Sequence, residues 1–352
     1  MGKSLLCCFL IGQLLLCCHG DRYQGGSHHP IGHLPALSGE MIRYVNNLNT
    51  TWKAGFNFPG KNASFVKLLL GGKLTTSVPD DHRLPLKPRS DVDAKDIPEN
   101  FDSMTKWPEC DSMKKIYDQG ACGAGWAFGA LEAMSDRYCV FSNMKKVNVT
   151  LSEENLISCC GTHCGFGCEG GYPSAAWQYW VNTGIVTDGC QPYTFDPCRH
   201  VGGSDEGSDG GAPEPTCAPE TQTPKCHTEC GKGYNKSYTD DLHFGKSSYA
   251  IEGSVTQIQE ELINFGPVET SLNVFEDFFS YKSGVYQHVA GGFVNRQSVK
   301  MYGWGVTPDG VKYWLASNSW NDSWGEKGFF KILRGTNECG IEEDIFAGIP
   351  QL

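Results

Sequence analysis

The 352-residue sequence predicts an α+β protein in which a cysteine-rich body follows a leader and a cysteine-free segment. Three observations support this. The cysteines beyond the leader all lie between Cys110 and Cys339, a helical repeat begins at Gly125, and a strand is expected before Gly303-Trp304-Gly305. We therefore divide the chain into a signal peptide (1–20), a pro-segment (21–95) and a body (96–352).

The first twenty residues have the features of a secretory signal peptide. Lys3 precedes an uncharged, leucine-rich run from Leu5 to Cys18, and the small residue Gly20 offers a cleavage site. A membrane anchor is the alternative, but the run is shorter than the roughly 20 apolar residues that a span requires. We predict entry into the secretory pathway, an extracellular or lysosomal location, and no membrane span.

An oxidising compartment changes how the 17 cysteines are interpreted. Four of them leave with the signal peptide, so thirteen remain, and an odd number leaves at least one thiol unpaired or shared. We expect a disulfide framework in the body only. Glycosylation is expected for the same reason, since five Asn-x-Ser/Thr sequons begin at Asn49, Asn62, Asn148, Asn235 and Asn321.

Composition limits the kind of partner that the chain can bind. Its 39% hydrophobic and 12% aromatic residues suit an ordinary globular core, and its formal net charge is −11. A chain this acidic repels phosphate backbones, so we exclude nucleic acid as a partner. We expect no cofactor and no metal.

The cysteine-free segment contains one predicted helix and one predicted linker. The suitable N-cap Ser38 precedes a helical stripe of apolar residues, namely Met41, Ile42, Val45, Leu48 and Trp52. Residues 78–93 are rich in Pro, Asp, Arg and Lys and lack apolar periodicity, which predicts an extended, cleavable linker. Because the segment is too small for a large core of its own, we interpret it as a pro-segment that folds against the body. An independent small domain is the alternative.

A helix is predicted from Gly125 to Cys139, because apolar residues repeat there at three- and four-residue spacing. It follows the run Asp118-Gln119-Gly120-Ala121-Cys122-Gly123-Ala124-Gly125-Trp126-Ala127-Phe128. This run resembles the Gln-Gly-x-Cys-Gly-x-Cys-Trp-Ala-Phe motif of the papain family, in which the second cysteine is the catalytic nucleophile. Here that position is Gly125.

The replacement removes the group that the helix start would activate. Unpaired N–H groups and the positive end of the helix dipole stabilise a thiolate and lower its pKa, whereas glycine has nothing to ionise. The neighbouring Cys122 resembles the family cysteine that pairs in a disulfide, so it is not expected to take over. A nucleophile must also meet a positioned base.

The position of that base is changed as well. The family motif is Gly-His-Ala, followed by apolar residues and Gly-Trp-Gly, and this chain has Arg296-Gln297-Ser298-Val299-Lys300-Met301-Tyr302-Gly303-Trp304-Gly305. The resemblance places Gln297 at the histidine. An amide can hydrogen-bond, but it cannot take up a proton near neutral pH.

Other parts of the family site are present. Asn318 matches the asparagine that orients the histidine, Trp320 matches the tryptophan that covers it, and Gln119 matches the oxyanion-hole glutamine. The Gly125 backbone N–H would supply the second oxyanion donor. With no histidine to orient, Asn318 is equally well explained as a buried turn residue.

The middle of the chain is dense in cysteine, from Cys159-Cys160 through His163, Cys164 and Cys168 to Gly170-Gly171. This spacing could indicate zinc, but disulfides are favoured in a secreted chain. The run resembles cathepsin B, in which Gly170 and Gly171 would bind substrate. The resemblance implies the pairs Cys110–Cys139, Cys122–Cys168, Cys159–Cys226, Cys160–Cys164, Cys190–Cys230 and Cys198–Cys217, with Cys339 left over.

The ends of the cleft also resemble cathepsin B. Residues 190–230 correspond to the occluding loop, in which two histidines receive a substrate C-terminus, but only His200 remains and the acidic, flexible insert 202–211 follows it. A solvated loop is the alternative there. Asp344 corresponds to an acid at the bottom of the S2 pocket, which would favour a basic P2 side chain, or else is an ordinary surface acid.

The resemblance implies a papain-like two-domain fold, with a helical left domain, a β-rich right domain and a cleft between them. It also implies three hypotheses for function. The first is an inactive protease homologue that binds peptides, its own pro-segment or cystatin-type inhibitors. A residual or altered cysteine endopeptidase is the second. A structural or adhesive extracellular protein is the third, although we see no added adhesion module before the pro-segment.

Overall fold

The computed structural model describes residues 34–58, 60–72, 80–143, 149–195 and 222–352. Its helices are α1 (Gly39–Asn47), α2 (Ala63–Leu68), α3 (Ser103–Lys106), α4 (Gly125–Phe141), α5 (Glu153–Cys159), α6 (Pro173–Asn182) and α7 (Val255–Phe265). Its strands are β1 (Trp52–Ala54), β2 (Phe101–Asp102), β3 (Gly245–Ile251), β4 (Val268–Phe275), β5 (Tyr281–Tyr286), β6 (Phe293–Val306), β7 (Lys312–Ser317), β8 (Phe329–Leu333) and β9 (Ile345–Pro350). The predicted signal peptide lies outside the described residues.

The strands of the described residues form one sheet in the order β1-β5-β8-β7-β6-β4-β9-β3, with β2 also beside β6. The β5 and β8 pair is parallel. The long strand β6 is hydrogen-bonded on both sides, with Leu272 of β4 opposite Gln297 and Ser317 of β7 opposite Lys300. Paired on both sides, β6 holds its side chains in fixed positions relative to the helices packed on it.

Helix α4 is buried along almost its whole length. Every residue from Gly125 to Val140 is buried, and the helix packs between α6 and strands β6 and β9. A helix that is mostly apolar on all sides is typical of a protein interior. No side chain caps its start after Ala124, so the first N–H groups receive no side-chain acceptor there.

The apolar residues form two large cores. One is made mainly of helical residues around α4 and α6, and the other mainly of strand residues. Apolar residues of the pro-segment belong to the strand-rich core, among them Met41, Val45, Trp52, Phe65, Val66 and Leu69. The mixed fold confirms the α+β prediction, and the pro-segment packs against the body as expected. The boundary between the pro-segment and the body, placed between residues 95 and 96, stays a prediction.

The pro-segment helix is shorter than its apolar stripe suggested. Ser38 is the N-cap, and its Oγ accepts a hydrogen bond from the N–H of Met41 at 3.1 Å. The helix ends at Asn47, and Trp52 lies in β1, so the assignment of Trp52 to the helical stripe is wrong. Its indole instead packs against Tyr281 and Tyr286 of the body, a contact that local spacing could not indicate.

The described residues contain five disulfides, and these join the same cysteines as five of the pairs that the resemblance implies. They are Cys110–Cys139, Cys122–Cys168, Cys159–Cys226, Cys160–Cys164 and Cys190–Cys230. The sixth expected pair, Cys198–Cys217, lies outside the described residues. Cys339 is the free thiol of the described part, and burial raises its pKa, so it is a poor nucleophile.

Part of the predicted linker is docked on the body. The N–H of Ala250 in β3 donates to Pro85 O at 2.9 Å, and the N–H of Lys87 donates back to Ala250 O at 2.8 Å. The segment pairs with β3 like an extended strand at Leu86, but Asp80–His82 form a 3-10 turn, so the prediction of an extended linker holds only in part. Residues 78 and 79 lie outside the described residues.

Across the described ranges, no helix is both long enough and apolar enough to cross a membrane. The same ranges hold no cluster of His, Cys, Asp and Glu side chains suited to binding a metal ion.

Candidate functional site

The first residue of α4 faces the side chain of Gln297 in β6. A Cβ atom built on Gly125 would lie 2.7 Å from both Cδ and Nε2 of Gln297, well inside van der Waals contact. The Gln297 amide therefore fills the space that a side chain at position 125 would need. The two positions that the motifs identified as nucleophile and base are adjacent, and neither carries an ionisable group.

Gln297 is the centre of a buried network of amides. Its Nε2 donates to Oε1 of Gln119 at 3.0 Å and to Oδ1 of Asn318 at 3.0 Å. Ser319 Oγ also donates to Gln119 Oε1, at 2.6 Å. These four side chains are at most 2% exposed. The network orients hydrogen-bond donors and acceptors, but none of its members can act as a general base near neutral pH.

The predicted oxyanion-hole glutamine is occupied by the pro-segment. Gln119 Nε2 donates to the carbonyl oxygen of Leu69 at 2.7 Å and to that of Cys122 at 2.6 Å. Leu69 lies just after α2. A peptide carbonyl thus already accepts the hydrogen bond that an oxyanion would receive.

The pro-segment continues past this point between the two sides of the site. Gly72 N–H donates to Arg296 O at 3.0 Å, and Gly171 N–H donates to Gly71 O at 2.9 Å. A Cβ on Gly71 would lie 2.6 Å from the carbonyl carbon of Gly123 and closer still to its oxygen, so only glycine fits there. Of the predicted substrate-binding glycines, Gly171 bonds to the pro-segment backbone.

Trp320, two residues after Asn318 in the sequence, lies in the strand-rich core. It is fully buried, stacks on Phe279 with ring centroids 5.4 Å apart, and meets Phe58 of the pro-segment edge-on at 6.0 Å. Asn318 Nδ2 and Gln297 Oε1 are buried without a hydrogen-bond partner among the described residues. Hydrogen bonds therefore satisfy this buried amide network only in part.

The predicted S2 acid is paired with a cation of the same chain. Asp344 Oδ2 lies 2.6 Å from Arg296 Nη1, and the Arg296 side chain is 3% exposed. Arg296 precedes Gln297 in β6, where the family motif has glycine. Its Nε and Nη2 have no hydrogen-bond partner among the described residues. This residue was missed from the sequence, although its departure from the motif was a visible signal.

Buried charges hold α4 against β6. Lys300 Nζ lies 3.0 Å from Asp136 Oδ2 and 3.4 Å from Glu132 Oε2, and all three side chains are almost fully buried. Burial raises the pKa of Glu132. Burial lowers the pKa of Lys300, but Asp136 and Glu132 outweigh it and raise that pKa overall. These ion pairs join α4 to β6, the two elements that carry Gly125 and Gln297.

The remaining predicted residues are placed as follows. Cys122 is oxidised in its disulfide with Cys168, so it offers no thiol to the site. His200 and the insert 202–211 lie outside the described residues. Leu69 and Ser319 are site residues that the sequence did not reveal, because neither lies in a position that the family motifs mark as functional.

A cavity of about 670 Å³ adjoins the site, lined by residues of both the pro-segment and the body, including Lys67, Leu70, Ala121, Glu169 and Thr223.

Two parts of the chain match known protein families. Residues 97–349 match the family described as papain family cysteine protease. Residues 37–76 match the peptidase family C1 propeptide. Together the two matches cover most of the chain, including the pro-segment that crosses the site.

Named relatives are similar over nearly the same length. Cathepsin B-like cysteine proteinase 6 of Caenorhabditis elegans is 44% identical over 335 residues, covering 89% of this chain and 83% of that protein. A cathepsin B-like cysteine proteinase of Schistosoma japonicum is 42% identical over 322 residues, covering 89% of this chain and 91% of that protein.

Solved structures show the same likeness. The chain matches procathepsin B S9 from Trypanosoma congolense with a TM-score of 0.75 and 34% identity, covering 91% of this chain and all of that one. Digestive procathepsin L 3 of Tenebrio molitor larval midgut matches with a TM-score of 0.63 at 19% identity, covering 88% and 87%. The second match supports the fold alone.

Proposed function

Because this chain belongs to the papain family and has a cathepsin B-like body with a propeptide, we propose that it binds peptide segments in its cleft without cleaving them. The observation that carries this proposal is the contact between Gly125 and Gln297. The site has no thiol at the helix start, no imidazole beside it, and no room for a side chain at position 125 while Gln297 keeps its place.

The parts of the site that remain can bind but cannot complete hydrolysis. Acyl transfer requires a nucleophile and a group that gives its proton to the leaving amine, and an amide network offers neither. In serine proteases, loss of the whole catalytic triad lowers kcat about a million-fold, although oxyanion stabilisation survives. By this reasoning, a site that keeps the oxyanion donor Gln119 but has neither nucleophile nor base should hydrolyse peptides too slowly for routine detection.

The contacts of the pro-segment support peptide binding in this cleft. Gly171 N–H, Arg296 O and Gln119 Nε2 all bond to its backbone, and the close approach of Gly71 to Gly123 favours a glycine at that point of a bound peptide. We retain Asp344 as the acid of the S2 subsite. Its pairing with Arg296 predicts a weak preference for basic side chains at P2, because an internal cation already neutralises it.

We also propose that the protein passes through the secretory pathway and is extracellular or lysosomal. The disulfides of the body and the leader composition support this. Cystatin-type inhibitors are proposed partners, because an inhibitor that fits the cleft by shape needs no reactive thiol. A residual endopeptidase remains the competing hypothesis, and the assay below distinguishes the two.

We expect the protein to bind a cystatin but to hydrolyse no fluorogenic dipeptide substrate after its pro-segment has been cut by an added protease. The added protease is then inactivated, and an active cathepsin B-like enzyme serves as the positive control. The readouts are substrate turnover and cystatin binding by calorimetry. Turnover that an epoxide inactivator of cysteine proteases abolishes would refute the proposal.

We expect the purified proprotein to remain full-length at acid pH, because the chain lacks the groups needed to cut itself. An added protease should instead cut within the predicted linker 78–93, and we expect Asp91 and Asp93 to be more accessible to it than Pro85 to Ser90, since these two residues are exposed and Pro85 to Ser90 are docked on the body. Gel electrophoresis and mass spectrometry of timed samples follow the cleavage. Cleavage of the proprotein in samples without added protease, at the same rate as in samples that contain it, would contradict the proposal that the protein is inactive.

A further inference from the structure

We infer that the body carries a second peptide-binding site, at the outer edge of β3 and the adjoining face of α7, which binds an extended basic peptide. Its resident occupant is the segment Pro85–Ser90 of this chain. We name it the docking site and define it by Tyr249, Ala250, Glu252, Gln257, Glu260 and Glu261. It contains none of the cleft residues, so it stands independently of the proposed function.

Backbone pairing sets the orientation of the segment on the docking site. Leu86 forms a parallel bridge with Ala250, and two hydrogen bonds of 2.9 and 2.8 Å join Pro85 and Lys87 to that residue. This is strand addition to a sheet edge, in which main-chain bonds supply affinity and side-chain contacts supply specificity. The Leu86 side chain is 60% exposed, so it is not the residue that is recognised.

Lys87 is the specific contact. Its Nζ lies 2.6 Å from Oε2 of Glu261, whose side chain is fully buried, and it lies over the ring of Phe265 at 4.2 Å. Glu261 also pairs with the buried Arg137 at 2.8 Å and accepts from Tyr249 Oη at 2.8 Å. Water and salt screen an ion pair with a buried carboxylate less than they screen an exposed pair, so this contact can discriminate a cation from a neutral side chain.

The charge state of the carboxylate supports this contact. Burial raises the pKa of Glu261, but Arg137 and Lys87 outweigh burial and lower the pKa overall. Because Arg137 alone still pairs with Glu261 when Lys87 is absent, the body does not depend on the segment to neutralise this buried charge. The docking site is thus built within the body and presents an acidic group to an incoming cation.

Two further contacts extend recognition along the segment. Arg89 makes two hydrogen bonds to the carboxylate of Glu252. The Ser90 N–H donates to Gln257 Oε1 at 3.1 Å, while Gln257 Nε2 donates to Ser90 O at 3.1 Å, and Ser90 Oγ bonds to Glu260. The ligand class is therefore an extended peptide with a lysine and an arginine two residues apart, followed by a small polar residue.

The test frees the segment from the rest of the chain. In the full chain, one protease site is placed between Gly72 and Asp80 and another between Ser90 and Ile97, and both are cut. We expect the released segment to remain with the body through gel filtration. Lys87→Met should speed its dissociation by about tenfold or more, because the apolar stem remains but the cation is lost. Arg83→Met is the matched control, since Arg83 pairs only with the exposed Asp80 among the described residues.

A second variant and a second measurement keep the test independent of one substitution. Gln257→Ala removes only the Ser90 contacts from the surface of α7 and should also speed dissociation. In the uncut chain, hydrogen exchange at Lys87 and Ala250 should increase in both variants and not in Arg83→Met. Immediate loss of the unsubstituted segment, or equal effects of Lys87→Met and Arg83→Met, would overturn the inference.

Discussion

Changing Gly125 to cysteine and Gln297 to histidine together is expected to create peptidase activity at least about 10³-fold above the product of the two single effects, because residues of one catalytic unit are strongly non-additive. The double variant places a thiol at the start of α4 beside an imidazole. Asn318 Oδ1, which now accepts from Gln297 at 3.0 Å, is in position to accept from that imidazole. Gln119 supplies the oxyanion donor.

Each single variant is expected to be almost inactive for its own reason. Gly125→Cys drives its Cβ into the Gln297 amide, so Gln297 must give up its bonds to Gln119 and Asn318 before the thiol fits. The thiol then lacks an imidazolium to lower its pKa and an acid to protonate the leaving amine. Gln297→His creates a base with no nucleophile to serve.

The assay measures kcat/KM on fluorogenic dipeptides for all four chains after the pro-segment has been cut by an added protease. Intact disulfides and unchanged thermal unfolding serve as the folding control. A folded double variant without activity would show that the cleft is altered beyond these two positions. The triple variant that also carries Arg296→Gly then tests the Asp344 pairing, and deletion of residues 202–211 tests the acidic insert.

Changing Gly71 to alanine is expected to open the cleft of the uncut protein and to raise its apparent affinity for a cystatin by about 30-fold. The added methyl group collides with the backbone of Gly123, which cannot move aside as a flexible side chain would. Displacing this stretch loses the hydrogen bonds from Gly171 N–H to Gly71 O and from Gly72 N–H to Arg296 O. Two such bonds contribute about 2 kcal/mol, which corresponds to the expected ratio.

Cystatin affinity by calorimetry and hydrogen exchange at Gly72 and Gly171 measure this effect. Gly39→Ala is the matched control, because the added Cβ there meets the end of the flexible Arg43 side chain and otherwise only makes ordinary van der Waals contact with Phe56 at 3.9 Å. We expect faster hydrogen exchange and tighter cystatin binding in Gly71→Ala, and neither change in Gly39→Ala. If both variants leave cystatin affinity unchanged, the pro-segment does not compete for the cleft, or the cystatin binds elsewhere, and the proposed partner class fails.

The adjacency of positions 125 and 297 could be predicted from the sequence, because short motifs mark both positions. Gly125 and Gln297 each lie at a fixed offset from neighbours that match the papain-family motifs, and the structure brings the two residues together. The N-cap Ser38 was also predictable, since capping depends on residues three apart. Local rules suffice where the interaction itself is local.

Other features depend on contacts between distant parts of the chain. Trp52 fits a helical stripe by spacing, but a strand pairing with β5 and the rings of Tyr281 and Tyr286 place it outside the helix. The pairing of Arg296 with Asp344 joins residues 48 positions apart, and that of Lys87 with Glu261 joins residues 174 apart. Neither hydrophobic periodicity nor secondary-structure propensity indicates pairs between residues so far apart in the sequence.

The order of the strands has a consequence for the solubility of the protein. Among the described strands, the two ends of the sheet are β1, which belongs to the pro-segment, and β3, whose outer edge is covered at Ala250 by residues 85–88. The prolines at both ends of this stretch cannot donate a hydrogen bond to a further strand. Uncovered sheet edges are templates for aggregation with other chains. With the pro-segment in place, β1 covers the edge of β5 and the segment at Leu86 covers the edge of β3 at Ala250. The edge that then ends the sheet at β1 is only 3 residues long, and so short an edge strand limits edge-to-edge self-association.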